Sequence, residues 1–335
     1  MALAYEHIAS NRKKTWLIVA LFPICFGVLA YLAILLYNWI NLNTLNPRQL
    51  EAMTQKAYPS GPLLYYTYEI AIYAIPIVAG AAILWLLISY LWGADMMLGN
   101  AKATEISMHN NRQLYRLVEN LCITRGLPLP KIYVIDDASL NAFATGRNPD
   151  NSIIAVTSGL LEKLEKSELQ GVLAHELAHI ENRDTTLLLL AIEGIAFCTF
   201  FGEVLLRIGR SAMRGRNGAK ISLIIFLAAM VFVIFGYLVA PLLRFAMSRQ
   251  REYLADASAA LITRNPGALA DALEKITKDS RVEILDDHPS MAAMCIATPG
   301  EIEASLFNKI TGLYATHPPV ADRIKRLRQM DRTQK

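Results

Sequence analysis

Apolar positions in this chain are gathered rather than spread. Residues 15–37, 70–92 and 221–243 carry no charged side chain, and residues 185–206 carry only Glu193 and Glu203. A bilayer core about 30 Å thick needs about 20 helical residues, so each window is long enough to span. The pattern therefore predicts four membrane helices. The third reads more readily than the first two as a buried core helix, because Glu193 and Glu203 would be costly facing lipid. Pro23 and Pro76 sit inside apolar windows, which membrane spans tolerate better than soluble helices do. The first window is too long for a signal-peptide core and lacks a small-residue cleavage site, so we read it as retained.

The pattern changes between the second and third windows. Residues 107–125 place Leu114, Leu117, Val118 and Leu121 at helical spacing, and Gly126 is a good terminator. Residues 131–135 and 152–157 are short β-branched runs. Residues 140–146 could form another strand, closed by the turn residues Asn148, Pro149, Asp150 and Asn151. A small antiparallel sheet is expected, whose role from composition alone is packing first and, as the alternative, an edge that pairs with an extended peptide. The organisation that follows is a tail (1–14), a first span pair (15–37, 70–92) around loop 38–69, and a soluble segment (93–184). A second pair (185–206, 221–243) encloses a basic loop (207–220), and a soluble segment (244–335) ends the chain. Loop 38–69 and residues 279–300 match no pattern, and His288 reads as an ordinary loop histidine.

Composition agrees. Hydrophobic residues make up 54% and charged residues 19% of the 335, against about 45–50% and about 25% in soluble domains. This excludes a disordered chain and an ordinary cytosolic enzyme. A net charge of +4 is too small to imply a nucleic-acid partner, and the partner that hydrophobicity implies is the lipid bilayer. The four cysteines lie far apart, which predicts neither a disulfide framework nor a cysteine metal site. The tail ends in Arg12, Lys13 and Lys14, whereas loop 38–69 holds only Arg48 and Lys56. The positive-inside rule makes the tail cytoplasmic, and an even number of spans returns both soluble segments there. Arg207, Arg210, Arg214, Arg216 and Lys220 object, since counting spans puts their loop outside. Either the first span dominates or the last two segments form a hairpin that does not fully cross.

Candidate chemistry lies just before the third window. Ser167 and Gln170 fit a capping box. The helix it opens carries His175, Glu176 and His179. Histidines four apart project from one helix face and can share one tetrahedral ion. Glu176 can reach a water on that ion and act as general base, the chemistry of a zinc peptidase. Two histidines leave a catalytic zinc one ligand short. Glu193 and Glu203 are candidates, but both lie in an apolar window. Glu252 is better, just past the fourth window. Asp256 lies one turn further on the same face, where it can fix a ligand imidazole, although the two could also be a surface carboxylate pair.

Residues 175–179 (HELAH), 248–256 (SRQREYLAD) and 316–319 (THPP) ahead of Arg323 to Leu327 resemble the HtpX-type membrane zinc metalloproteases. Residues 140–146 (LNAFATG) and the tail residues 8–12 (IASNR) are similar to further motifs of that family. The resemblance implies one Zn²⁺ per chain held by His175, His179 and Glu252, with Glu176 as base. It implies that Asn141, Ala142, Phe143, Ala144 and Thr145 lie beside the substrate strand, and that His317 stabilises the oxyanion. From the residues alone, His317 before two prolines could simply start a helix. The expected fold is a multi-pass membrane α-helical protein with a mainly α, zincin-like catalytic domain carrying the small antiparallel sheet.

The ligands bracket the last two apolar windows, so these must begin and end on one side of the membrane. At about 1.5 Å per residue, an ion there would lie on the order of 10–15 Å from the membrane surface. The expected function is a cytoplasmic-face endopeptidase of the inner membrane that cleaves misfolded or damaged membrane proteins or unfolded polypeptides, the quality-control role that the resemblance also implies. Two alternatives stand beside it. A prenyl-protein peptidase would use the same site, but the resembling enzymes enclose it with more spans. A non-catalytic zinc-stabilised scaffold would not need Glu176.

Overall fold

In a computed structural model, the described residues are 2–43, 61–213, 222, 225, 226, 228–230, 232, 249–278, 295, 296 and 318–334. His317, His288, most of loop 38–69 and most of the fourth apolar window lie outside them. The chain divides into two compact units. One comprises Trp16–Ile88 and Gly194–Leu238, the other Met1–Thr15, Ser89–Glu193 and Val239–Lys335.

The first unit is built from long apolar helices. Helices α1 (Ala2–Asn43) and α2 (Gly61–Asn100) run well past the predicted windows. With α6 (Asp184–Ala212) they give three helices, among the described residues, long and apolar enough to cross a membrane. Leu17, Ile24, Val28, Ile72, Tyr73 and Ile77 are exposed, a pattern that needs lipid as solvent. The α6 segment is mostly buried, and Glu193 is buried with it, as a carboxyl in an apolar helix requires, while Glu203 nearer its end is exposed beside Arg207. Phe22, Phe26, Trp85, Phe197 and Phe201 pack into one aromatic cluster, with neighbouring centroids such as Phe26–Phe197 4.9 Å apart. Asn38 Nδ2 donates to Thr67 Oγ1 at 3.2 Å, a polar link in an otherwise apolar packing.

The second unit contains the sheet. Strands β1 (Thr104–Ile106), β2 (Lys131–Ile135), β3 (Ala142–Gly146) and β4 (Ser152–Thr157) lie in the order β1-β2-β4-β3. The expected antiparallel sheet is corrected to a mixed one, because β2 and β4 pair in parallel. The chain reverses into β3 and again into β4, so β4 returns in the direction of β2 and inserts beside it. Every residue of β4 is buried, as a central strand with both faces covered should be. Strand β1 escapes a reading based on apolar runs, since two of its three residues are exposed.

Helix α3 (Arg112–Arg125) starts five residues later than its apolar spacing suggests. Asn111 caps it, its side chain accepting from Leu114 N, while Ser107–Asn110 forms a turn. Gly126 ends it at φ +66°, the left-handed conformation a glycine adopts freely. After β4 come α4 (Ser158–Lys163) and α5 (Lys166–Glu181). Beyond α6 come α7 (Arg249–Thr263), α8 (Pro266–Ile276) and α9 (Val320–Gln334). Leu114, Val118, Ile154, Leu173, Leu177, Leu269, Leu273 and Leu327 form the core between these helices and the sheet. Helix α5 lies at its centre: Gly171 through Ile180 are all buried. That centrality forces every polar side chain on α5 to find a partner within the protein.

Candidate metal centre

Helix α5 does not begin where its sequence suggested. Its N-cap is Glu165 rather than Ser167, and the Glu168 carboxylate, not Gln170, accepts from the Glu165 backbone N–H at 2.7 Å. Lys275 of α8 donates to the same carboxylate at 2.7 Å. A residue that binds both the helix start and a neighbouring helix displaces the purely local cap.

His175, Glu176 and His179 project from the buried middle of α5. Glu252, from the first turn of α7, meets the two histidines. Their ligand atoms all lie within 4.8 Å of one another. His175 Nε2 and His179 Nε2 are 3.1 Å apart, and the Glu252 carboxylate is 3.7 Å from the first and 3.4 Å from the second. The outer nitrogens are engaged. His179 Nδ1 pairs with Asp184 Oδ2 at 2.8 Å, and His175 Nδ1 with Asp256 Oδ1 at 3.0 Å. A carboxylate at Nδ1 holds the proton there and leaves the Nε2 lone pair for a metal. Two such imidazoles aimed at one point with a carboxylate beside them suit a metal that takes nitrogen and oxygen ligands. Among the described residues, neither Glu193 nor Glu203 belongs to this cluster, and Glu203 is exposed and paired with Arg207.

Charge supports the same fit. Burial pushes the Glu176 carboxyl up to about 8, helped by the Glu252 carboxylate. Burial, with the Arg323 guanidinium, holds His175 down to about 4. Burial also opposes charge on His179, but its hydrogen bond to Asp184 and the carboxylates of Glu252 and Glu176 outweigh it and raise the group to about 9. A site that draws a proton onto one metal-facing imidazole carries surplus negative charge. A divalent cation at the three ligand atoms would neutralise that surplus.

Arg323 of α9 closes the cluster and is fully buried. Its Nε and Nη2 donate to the two oxygens of Asp256 at 2.9 and 2.8 Å, and Nη1 donates to Ile296 O at 3.0 Å. Nη1 also lies 3.5 Å from Glu252. Burial raises the Asp256 carboxyl, but the guanidinium prevails and holds it down to about 2. One planar cation thus anchors Glu252 and the carboxylate that partners His175, a task that suits a fork-shaped donor. Arg251 similarly donates to Asp184 Oδ1. Both arginines lie in stretches that carry the resemblance, residues 248–256 and 323–327, but the sequence assigned a role to neither. Arg323 sits among Lys325, Arg326 and Arg328, where it resembles any solvated cation.

Asn141 lies just before β3 and Ala142 to Thr145 lie within it, and all five are buried. Asn141 is tied to the end of β4: its N–H donates to Thr157 Oγ1 at 3.0 Å, and its own side chain accepts from Ala142 N. The Ala144 N–H donates to the Glu176 carboxylate. Ile296 N donates to Ala142 O at 3.0 Å, so the same edge also meets a later part of the chain.

A profile of Peptidase family M48 matches residues 108–331. Among curated proteins, the chain is 36% identical over 325 residues to a protein named Protease HtpX homolog from Bacteroides fragilis, covering 95% of this chain and 96% of that one. Proteins of the same name from Dictyoglomus turgidum (35%, 97% and 94% covered) and Streptococcus uberis (32%, 98% and 100% covered) are similarly related. Among solved structures, the crystal structure of S. mikatae Ste24p is similar at 18% identity and a TM-score of 0.42, covering 81% of this chain and 58% of that one.

Proposed function

From the premise that the chain belongs to peptidase family M48 and is an HtpX-type membrane protease, we propose that it is a zinc endopeptidase with one Zn²⁺ per chain. His175, His179 and Glu252 hold the ion. The observation that carries this is the convergence of their ligand atoms with Glu176 next to the first ligand. A bound Zn²⁺ supplies Lewis acidity and makes water acidic near neutral pH.

The protein's own residues do the rest. Glu176 takes the proton of the attacking water and delivers it to the leaving amine. Its carboxylate is held in place by the Ala144 N–H, so it stays aligned while the proton moves. Asp184 and Asp256 hold the Nδ1 protons of His179 and His175 and keep both rings oriented. Asn141–Thr145 lies beside the extended substrate, which pairs with this edge by displacing Ile296 N from Ala142 O, and His317 donates to the developing oxyanion.

The substrates we propose are misfolded or damaged membrane proteins, cut at the cytoplasmic face of the inner membrane. Asn11, one residue before the basic run Arg12 to Lys14, donates to Asp184, so the tail and the cluster share one side. The positive-inside rule makes that side cytoplasmic. Asp184, the first residue of α6, binds His179 and also begins an apolar helix.

The test is the purified protein in detergent with zinc, given an unstructured polypeptide, a membrane-protein loop and a prenylated peptide. Cleavage of the first two, with Glu176→Gln keeping zinc and losing cleavage, is the expected result. Turnover by Glu176→Gln would sink the mechanism. Cleavage of the prenylated peptide alone would overturn the substrate assignment, and no zinc-dependent cleavage at all would favour a scaffold.

A further inference from the structure

The N-terminal tail reaches the metal cluster through Asn11, a residue that the catalytic scheme does not use. Its side chain is buried on α1. Nδ2 donates to Asn182 O at 2.9 Å and to Asp184 Oδ1 at 2.7 Å. Both partners are acceptors, so the NH₂ end of the amide must face them. The other oxygen of Asp184 receives His179 Nδ1–H at 2.8 Å. Asn182 ends the metal-binding helix, and Arg183 follows at φ +58°, a left-handed conformation uncommon for a residue with a side chain. Asn11 therefore grips the tight link between α5 and α6 on both sides of its strained residue. It also fixes the carboxylate that orients a ligand imidazole.

We infer that Asn11 is a positioning residue for His179, acting through Asp184, so that metal affinity depends on the N-terminal tail. The inference rests on the His175, His179 and Glu252 reading above. An asparagine is required for a reason of charge. An aspartate has nearly the same shape, but it would set a second carboxylate against Asp184, and the single guanidinium of Arg251 on Asp184 Oδ1 cannot offset both in a buried setting. An alanine would only remove the two hydrogen bonds. The order of damage is thus Asn11→Asp above Asn11→Ala, although aspartate is the closer match in size.

The experiment is zinc competition with a chromophoric chelator on the full-length protein in detergent, together with the d–d spectrum of the Co²⁺-loaded form. Partners of ligating histidines are typically worth about 10–100-fold in metal affinity. Asn11 stands one step further out, so Asn11→Ala should weaken zinc by several-fold and Asn11→Asp by about tenfold or more. Both should perturb the Co²⁺ spectrum. Thermal unfolding of the zinc-free proteins separates positioning from general damage, since a merely structural role would lower that transition and leave metal affinity and spectrum unchanged. Should Asn11→Asp not accumulate as folded protein, Asn11→Ser, whose hydroxyl falls short of Asp184, replaces it. Wild-type affinity and spectrum in the folded variants would overturn the inference, as would Asn11→Asp no weaker than Asn11→Ala. If wild-type protein bound no zinc, the metal reading itself would fail, which is a distinguishable result.

Discussion

Replacing Arg323 with methionine should uncouple stability from metal binding in a way that double variants can resolve. The substitution keeps much of the side-chain volume but removes the charge that faces Asp256 at 2.8 and 2.9 Å and Glu252 at 3.5 Å. Both carboxylates are buried, so neither recovers its solvation when the guanidinium is gone. Removing one partner of a buried pair typically costs about 3–5 kcal/mol, most of it the uncompensated charge left behind. For a folding unit of this size, 1 kcal/mol moves Tm by about 2–4 °C, so the zinc-free protein should lose roughly 6–20 °C. Arg323→Lys should recover only part of this, because an ammonium cannot match the two-pronged contact with Asp256. Adding Asp256→Asn to Arg323→Met removes one stranded charge and should restore several degrees. It should not restore zinc affinity, since His175 then lacks the carboxylate that holds its Nδ1 proton. The assays are thermal unfolding of detergent-solubilised protein and zinc competition. An Arg323→Met protein that unfolds within about 2 °C of wild type would refute the claim that this buried cation holds the cluster together.

Three further outcomes follow from the same geometry. In zinc-free protein, His179 and Glu176 have folded-state values raised to about 9 and about 8. Their contributions are fully present below their unfolded values and are lost as pH rises through the folded ones, so stability should fall between pH 7 and 9. The fall has a limit of about 1.4 kcal/mol per pH unit for each proton involved, and saturating zinc should abolish it. A flat zinc-free profile over that window in thermal melts contradicts the assigned charges. Asp184→Asn should weaken zinc by about 10–100-fold, read by chelator competition, and unchanged affinity would remove Asp184 from the site. Gly171→Ala would set a methyl group 3.1–3.3 Å from Leu269 Cβ, Cα and N, costing about 1–3 kcal/mol by overpacking α5 against α8. Gly99→Ala, which meets nothing within 4 Å, should change Tm by under about 2 °C, and equal effects at the two positions would refute the packing argument.

Much of this protein is written locally. Apolar windows longer than a bilayer is thick marked three helices that the structure contains, because the length of a charge-free run is a property of consecutive residues. The i, i+4 spacing of His175 and His179 sets both imidazoles on one helix face whatever surrounds it. Strands β2 and β4 occupy the residues their β-branched runs marked. What proximity along the chain could not supply was the order of those strands. Parallel or antiparallel pairing depends on which strand inserts where, and the buried centre of the unit selects β4. Glu165 and Glu168 instead of Ser167 and Gln170 at the start of α5 make the same point, since a lysine from α8 takes part. The supports of the metal cluster lay inside stretches that carry the resemblance, but their roles could not be read there. Arg323 lies 67 residues from Asp256 in sequence, and Asn11 lies 173 from Asp184. A buried arginine and a solvated one look alike in a list of residues. Only packing removes the water around one of them and so makes a single partner indispensable. The chain by itself determined which residues could bind a metal. The tertiary structure decided which distant charges hold them in place.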